Sequence, residues 1–292
     1  MSAFDMPGAG RTRTLCVCAD DFGLSEGINQ AVLALMERGA VTATSCMVLR
    51  AAWLPGARRL RVLPPAQADV GLHLDLTAVD ASAAEASLGA LVARSFARQL
   101  DLAAVRAAID AQLDTFEQAM GRAPAHVDGH RHVHQLPGVR EVLADALAAR
   151  YPGAPPWLRS TRPAPAPLAV PAKQRLIHAL GGRGLEALAR RRGLPMSRHL
   201  LGVYGFEGGP TAYLRRLLAW LVHAGDGDVL MCHPSVRTVD GDAVGEARMH
   251  ELSALALLKP AFQVEDIQLH LRPLSQTPFV QNPDRVAGTV AG

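Results

Sequence analysis

Short apolar segments alternate with longer helical segments along most of this chain, and this alternation constrains the fold more than any other feature. The first apolar run, residues 15–19, precedes a helix that Ser25 can cap and Gly39 can end. Other strand-like runs lie at 41–49, 69–76, 124–134, 157–159, 228–232 and 262–267, and helical periodicity covers 87–120, 138–150, 172–191, 211–223 and 246–259. Such alternation predicts a parallel sheet with helices packed outside it.

An open doubly wound sheet and a closed barrel both satisfy this pattern. The chain has no G-x-G-x-x-G after the first strand and no G-x-x-x-x-G-K-[ST], so open nucleotide-binding sheets lack their signatures. We therefore expect an α/β barrel. A barrel of roughly 250 residues suits a chain of 292. We therefore predict one catalytic domain over residues 13–275, a flexible segment at 1–12 and a tail at 276–292.

Composition excludes several other classes of protein. The net charge of +3 is too small to indicate a nucleic-acid partner. No apolar segment reaches the roughly 18–20 residues of a membrane span, and the first fourteen residues lack the apolar region of a signal peptide. The cysteines lie in apolar runs without a C-x-x-C pair, which is typical of buried, reduced thiols: Cys16, Cys18, Cys46 and Cys232. We expect a cytoplasmic protein. A homodimer is compatible with the sequence, although no residue pattern indicates one.

Metal-binding or acid–base side chains occur at four of the strand-like runs. Asp20 and Asp21 end the first run, His73 lies in the third, the run near 127 leads into Asp128, and His233 ends a later run. In parallel α/β barrels the active site forms at the carboxyl ends of the strands. We therefore expect these side chains to converge, although 50 to 100 positions separate them along the chain.

The segment from His126 to His134 carries titratable residues at every second position: His126, Asp128, His130, His132 and His134. If the segment is extended, all five side chains point to one side. A solvated edge strand is the alternative interpretation. The concentration of 4 of the 11 histidines here favours metal binding or proton transfer. Neighbours on one strand cannot all bind the same ion.

The remaining candidates also permit two interpretations. Adjacent carboxylates at a strand end point in different directions, so one of Asp20 and Asp21 can bind a metal while the other acts as a base. Alternatively, one of them caps the following helix. His73 and His233 can each be a hydrogen-bonded core histidine. Taken together, one aspartate and two histidines from separate strand ends form a ligand set with open positions for water and substrate, which favours a hydrolytic metal centre.

Four blocks of this sequence resemble one known family. They are A-D-D-F-G-L-S at 19–25, V-G-L-H-L at 70–74, the histidine run at 126–134, and C-H-P at 232–234 with Arg248 and Glu251-Leu252. In this order, and over about residues 14–260, they are similar to the YdjC family. These are the chitooligosaccharide deacetylase-like proteins, also called ChbG/HpnK-type carbohydrate deacetylases. The resemblance implies a deformed (β/α) barrel of the glycoside hydrolase/deacetylase type that binds one divalent cation, Mg²⁺ or Zn²⁺.

The resemblance also implies roles for individual residues. Asp21, His73 and His130 correspond to the metal ligands, Asp20 to the general base and His233 to the general acid. The remaining polar residues of the motifs are expected to support the ligands or to contact substrate: Asp128, His132, His134 and Arg248. Asp128 in particular can orient a ligating imidazole.

The chain departs from the family pattern at two places. Ser235 stands where glycine usually follows His-Pro, and residues 78–84 replace a Gly/Pro-containing loop. Such loops shape a substrate cleft, so the identity and length of the sugar stay open. We expect a hydrolase that uses metal-activated water to remove the acetyl group of a small N-acetylated carbohydrate, a chitooligosaccharide or a related glycan or glycolipid. The alternatives are a dinuclear phosphoesterase or lactonase, and a non-catalytic protein that binds sugar or metal.

Overall fold

The described residues, 11–77, 87–165, 168–238 and 241–281 of the computed structural model, contain nine strands that join in a single sheet. The strands are β1 (Arg11–Phe22), β2 (Ala43–Cys46), β3 (Asp69–Leu74), β4 (His126–Gly129), β5 (Trp157–Leu158), β6 (Leu200–Leu201), β7 (Val229–Cys232), β8 (Ala261–Val264) and β9 (Ile267–Leu271). Seven of them follow the order β5-β4-β3-β2-β1-β7-β6, and all neighbours in this order are parallel.

The two end strands of this order also approach each other. Isolated parallel bridges join Leu158 to Met196 and Pro163 to Leu200. The strands therefore form the deformed (β/α) barrel that the resemblance implied, with isolated bridges in place of a full ladder where the segments of β5 and β6 meet. Outside the barrel, β8 and β9 form an antiparallel pair, and β9 lies parallel to the first half of β1.

The helices lie between the strands as the alternation predicted, with three differences. They are α1 (Glu26–Glu37), α2 (Trp53–Arg61), α3 (Leu88–Phe96), α4 (Leu102–Met120), α5 (Val139–Arg150), α6 (Ala172–Ile177), α7 (Arg183–Arg192), α8 (Gly209–His223), α9 (Ala247–Leu255) and α10 (Pro278–Gln281). The single helix predicted over 87–120 is two helices, because Arg98 has a positive φ of 59° and the Asp101 side chain caps α4. The helix predicted over 172–191 is interrupted at Gly181, where φ is 149°. The pattern did not indicate α2, which contains Pro55 and Gly56.

The ends of the predicted domain fit the structure only in part. Arg11 and Thr12, which we placed in a flexible segment, pair with Ile267 and Gln268 of β9. The tail predicted from residue 276 includes α10, and its later residues lie outside the described part of the chain, as do residues 1–10 and the 78–84 loop.

Apolar side chains from the strands and the helices form one large buried core, and a smaller buried cluster includes Cys16 and Trp157. Val17, Leu72, Val127 and Leu230 have no exposed surface. All four cysteines are free and buried, as predicted. Within the described residues, every helix is too short or too polar to span a bilayer.

Candidate active site

Both carboxylates at the end of β1 line one cleft because the strand is irregular there. The register between β1 and β2 shifts between Ala19 and Phe22, and Asp21 has a left-handed φ of 66°. A regular strand would send adjacent side chains in different directions, as we expected. Here Asp20 and Asp21 both line a cleft of about 550 Å³. Such a backbone conformation costs a non-glycine residue about 1–3 kcal/mol and is typical of functional sites.

The three predicted ligands meet in this cleft. Oδ1 of Asp21 lies 3.6 Å from Nε2 of His73 and 3.3 Å from Nδ1 of His130. Two ligand atoms that each lie about 2.0–2.2 Å from one ion are roughly 3.0–3.5 Å apart. The three side chains therefore fit a single divalent cation with little rearrangement. Two imidazoles and a carboxylate suit Zn²⁺, and added water oxygens suit Mg²⁺.

Asp128 holds one of these imidazoles. His73 and Asp128 are register partners on β3 and β4, and Nδ1 of His73 lies 2.6 Å from Oδ1 of Asp128. This contact leaves Nε2 of His73 directed toward Asp21. Burial acts to lower the pKa of His73, but the charge of Asp128, the charge of Asp20 and the hydrogen bond to Asp128 raise it to about 9.

Arg248 forms a hydrogen bond with the second carboxylate oxygen of Asp21. Its Nη2 donates to Oδ2 of Asp21 at 2.7 Å, which leaves Oδ1 free to face the two histidines. Burial acts to raise the pKa of Asp21, but the contact with His130 and the charge of Arg248 lower it well below its usual value. Arg248 also donates to Asp242 and to the carbonyl of His233, so it ties the wall of the cleft to a candidate ligand.

Arg159, whose side chain is 1% exposed, was not among the site residues predicted from the sequence. Its Nη1 and Nη2 each donate to one oxygen of Asp20 at 2.7 Å, and Nη2 lies 2.5 Å from Oδ2 of Asp128. The guanidinium therefore fixes Asp20 in the cleft and compensates two buried carboxylates. A charged residue at the end of the strand predicted at 157–159 was the available signal, because site residues lie at the ends of barrel strands.

His233 enters the cleft from the end of β7. Its backbone N–H donates to Oε2 of Glu251, and its Nδ1 lies 3.9 Å from Oε1 of the same carboxylate. Burial acts to lower the pKa of His233, but Glu251 and then Asp21 and Asp20 raise it above its usual value. The neighbouring departure from the family pattern, Ser235, is buried and donates to the carbonyl of Arg237, so its hydroxyl is used within its own loop.

The prediction of one extended histidine run was wrong. β4 ends at Gly129, and residues His130–Gln135 form a 3₁₀ turn in which Arg131 and His132 have positive φ values of 51° and 62°. The turn ends the two-residue alternation. As a result, His130 and His132 line the cleft, and the other histidines of the run are not among its lining residues.

His126 and His134 lie in the interior instead. Nε2 of His126 is 3.0 Å from Oγ of Ser45, and its ring stacks on Trp157 with centroids 4.2 Å apart. Nε2 of His134 is 3.0 Å from the carbonyl oxygen of Arg159. Burial lowers the pKa of each histidine to about 4. Both imidazoles therefore support the residues beneath the cleft as neutral rings.

The fold and the cleft define a (β/α)-barrel protein with a candidate site for one divalent cation at the carboxyl ends of its strands. The family model described as YdjC-like protein matches residues 14–263. The chain belongs to this family.

Relatives of known name support the same grouping. A carbohydrate deacetylase of Homo sapiens is 41% identical over 155 residues, which cover 46% of this chain and 45% of that protein. A chitooligosaccharide deacetylase of Klebsiella pneumoniae (strain 342) is 29% identical over 260 residues, 85% of this chain and 94% of that protein. The chain matches about half the length of the human protein and of a mouse protein of the same name, 45% and 47%.

A solved structure shares the fold. The crystal structure of a proposed cellobiose-phosphate cleavage protein of Enterococcus faecalis V583 superimposes with a TM-score of 0.58 at 22% identity. The superposition covers 84% of this chain and 90% of that one, so the two proteins share the fold over most of their length.

Proposed function

We propose that this protein is a metal-dependent carbohydrate N-deacetylase, a hydrolase that removes the acetyl group from the amide of an N-acetylated sugar. The observation that carries the proposal is the placement of Asp21, His73 and His130 in one cleft with Asp20 and His233. The family supports it, because the human and Klebsiella pneumoniae relatives are named carbohydrate deacetylase and chitooligosaccharide deacetylase.

Asp21, His73 and His130 hold the cation, Mg²⁺ or Zn²⁺, in this proposal. A divalent cation there supplies Lewis acidity that polarises the acetamide carbonyl and acidifies the attacking water. Asp128 keeps the His73 ring oriented through the hydrogen bond at Nδ1. Arg248 keeps Asp21 oriented through Oδ2.

Asp20 and His233 move the protons. Asp20 takes a proton from the attacking water, since each of its oxygens keeps a lone pair beyond the bond from Arg159. His233 donates a proton to the leaving amine, and its raised pKa favours the protonated form that a general acid needs. Each transfer contributes about 10²–10⁴-fold in rate. The products are acetate and the free amino sugar.

The cleft suits a small carbohydrate. Its volume of about 550 Å³ lies in the range of small-molecule sites, roughly 300–1,000 Å³. We propose a chitooligosaccharide or a related glycan or glycolipid as the substrate class. We also propose a cytoplasmic location, which four free, buried cysteines favour because reduced thiols persist in reducing compartments.

A dinuclear hydrolase fits the site less well. Two further groups of side chains in the described residues could hold an ion, namely Asp20/His73/Asp128 and Cys18/His126/Asp128. The Arg159 guanidinium, however, lies 2.5 Å from Asp128, 2.7 Å from Asp20 and 3.0 Å from Cys18. A fixed cation in that position repels a second metal ion, so the proposal has a single ion.

Acetate release tests the proposal. We expect the metal-loaded protein to release acetate from N,N′-diacetylchitobiose or another N-acetylated sugar in a panel, to lose this activity in chelator, and to regain it with Mg²⁺ or Zn²⁺. Release from no sugar by protein that carries its metal would overturn the substrate class. Undiminished release from metal-stripped protein would overturn the role of the cation.

A further inference from the structure

Tyr204 and Glu251 form a buried contact beside His233. The hydroxyl of Tyr204 donates to Oε1 of Glu251 at 2.7 Å, and Oε2 of Glu251 accepts the backbone N–H of His233. Tyr204 is 5% exposed and Glu251 is fully buried. One carboxylate therefore joins a tyrosine hydroxyl to the main chain of His233 and lies 3.9 Å from its ring nitrogen Nδ1.

Within the described part of the chain, Glu251 forms no ion pair with an arginine or a lysine. Among the described residues, His233 is its only cationic neighbour within 4.0 Å, in contrast to Asp20 and Asp21, each of which pairs with an arginine. A buried carboxylate is costly unless hydrogen bonds and an opposite charge stabilise it. The charge of Glu251 is therefore paired with His233, and the Tyr204 hydroxyl donates a hydrogen bond to Oε1 of Glu251.

Phe206 confines His233 from another direction. Its ring lies 5.3 Å from the imidazole at 88°, and 5.0 Å from the ring of Tyr204. Phe206 has a left-handed φ of 66°, a strained conformation that surrounding contacts must maintain. Tyr204 thus contacts both groups that flank His233.

We propose that Tyr204 and Glu251 are positioning residues for His233: Tyr204 fixes the Glu251 carboxylate, and Glu251 holds the imidazole in the orientation that reaches the leaving amine. The inference rests on the proposed function, in which His233 is the proton donor. In that step the C–N bond breaks, its electron pair stays on nitrogen, and nitrogen takes the proton from His233. A neutral imidazole then remains beside Glu251.

Tyr204→Phe tests this inference, and Tyr213→Phe is its matched control. Tyr213 is also buried, its ring lies 5.5 Å from that of Tyr204, and its hydroxyl has no hydrogen-bond partner among the described residues. On N,N′-diacetylchitobiose we expect Tyr204→Phe to lower kcat about tenfold with KM within about twofold, and Tyr213→Phe to match wild type. We expect a loss of about 100-fold for Glu251→Gln, the lower end of general-acid effects.

An ester substrate separates positioning from general damage. The 4-nitrophenolate of 4-nitrophenyl acetate leaves without a proton, so Tyr204→Phe keeps the wild-type rate on this ester if the inference holds. Equal losses on the amide and the ester, or no loss on the amide, would overturn it.

The ¹⁵N shifts of the His233 ring provide a test that needs no turnover. In the metal-loaded protein, with the signal assigned through His233→Gln, we expect Tyr204→Phe and Glu251→Gln to move these shifts and Tyr213→Phe to leave them in place. Unchanged His233 shifts in Tyr204→Phe would overturn the inference even in an active enzyme. Absent acetate release with altered shifts would instead overturn the proposed function alone.

Discussion

Nδ1 of His73 lies 2.6 Å from Oδ1 of Asp128, and the parallel register of β3 and β4 makes the two residues direct neighbours. The contact commits one nitrogen of the ring to Asp128 and directs the other, Nε2, toward Asp21. Backbone pairing therefore sets the orientation of a candidate metal ligand before any metal binds. Carboxylates in this position raise the basicity of a ligating histidine and fix its tautomer.

Replacing Asp128 tests this relationship. We expect Asp128→Asn to weaken Zn²⁺ binding by about 10–100-fold, because the His73 ring loses its anionic partner. Calorimetric titration of the metal-free protein measures the change. The control is Asp228→Asn, since Asp228 lies 2.8 Å from Nδ1 of His199 in a second buried pair that precedes β7, at the other end of the strand from the cleft. An equal loss of affinity in both variants would contradict the role of Asp128.

His130→Ala separates metal binding from folding. The His130 side chain is 23% exposed, whereas that of His73 is 3% exposed. We expect His130→Ala to change the free energy of unfolding by less than about 1 kcal/mol. Bound metal raises the free energy of unfolding of wild type by about 2.7 kcal/mol when the free metal concentration is 100 times Kd. We expect the variant to lack this increase. Urea unfolding with and without Zn²⁺ measures this difference, and His223→Ala at the end of α8 is the control. If Zn²⁺ stabilises His130→Ala as much as it stabilises wild type, His130 is not a metal ligand.

Asp20→Asn separates catalysis from metal binding. We expect kcat for acetate release to fall about 10²–10⁴-fold, because asparagine cannot accept the proton from water. Metal affinity stays within about threefold of wild type, since Asp20 contacts Arg159 and the proposed ligand set does not include it. Steady-state kinetics and metal titration measure the two quantities. A variant that keeps wild-type kcat would show that another group takes the proton.

Acid should destabilise the fold through the interior histidines. Burial lowers the pKa of His126 to about 4, whereas an unfolded histidine titrates near 6.5. Below pH 6.5 the unfolded chain therefore binds a proton that the folded chain excludes, and stability present above pH 6.5 is lost as the pH falls toward 4. The loss is about 3 kcal/mol for this one group.

Comparing wild type with His126→Phe measures this effect. Phenylalanine keeps a ring against Trp157 but does not titrate. Urea unfolding in chelator from pH 7 to pH 4 should show that the free energy of unfolding falls less steeply for His126→Phe than for wild type. The difference in slope should correspond to about one proton taken up on unfolding. His134, with a pKa of about 4, contributes a similar decline in both proteins. Equal slopes for the two proteins would contradict the assignment to His126.

Much of the barrel and most of its site could be predicted from the sequence. Strand and helix periods are local, so alternation showed the architecture, and the strand ends then placed Asp21, His73 and His130 at one edge. The resemblance added their roles as expectations.

The rest depended on the backbone and on packing that no local pattern contains. Alternation at 126–134 is compatible with a strand, yet Arg131 and His132 take left-handed conformations that end it after Gly129. The bulge that brings Asp20 and Asp21 into one cleft likewise depends on pairing with β2. Arg159 is a single residue at the end of a two-residue strand, and its partner Asp20 lies 139 positions away.

The two buried guanidiniums also bear on how the protein matures. Arg159 and Arg248 already compensate Asp20, Asp128 and Asp21 without any ion. In small zinc domains the ligands stay unfolded until metal arrives. Here the countercharges belong to the chain itself, so synthesis and folding can finish first and the ion can load afterwards. Metal scarcity would then leave an intact, inactive reserve that a later supply switches on.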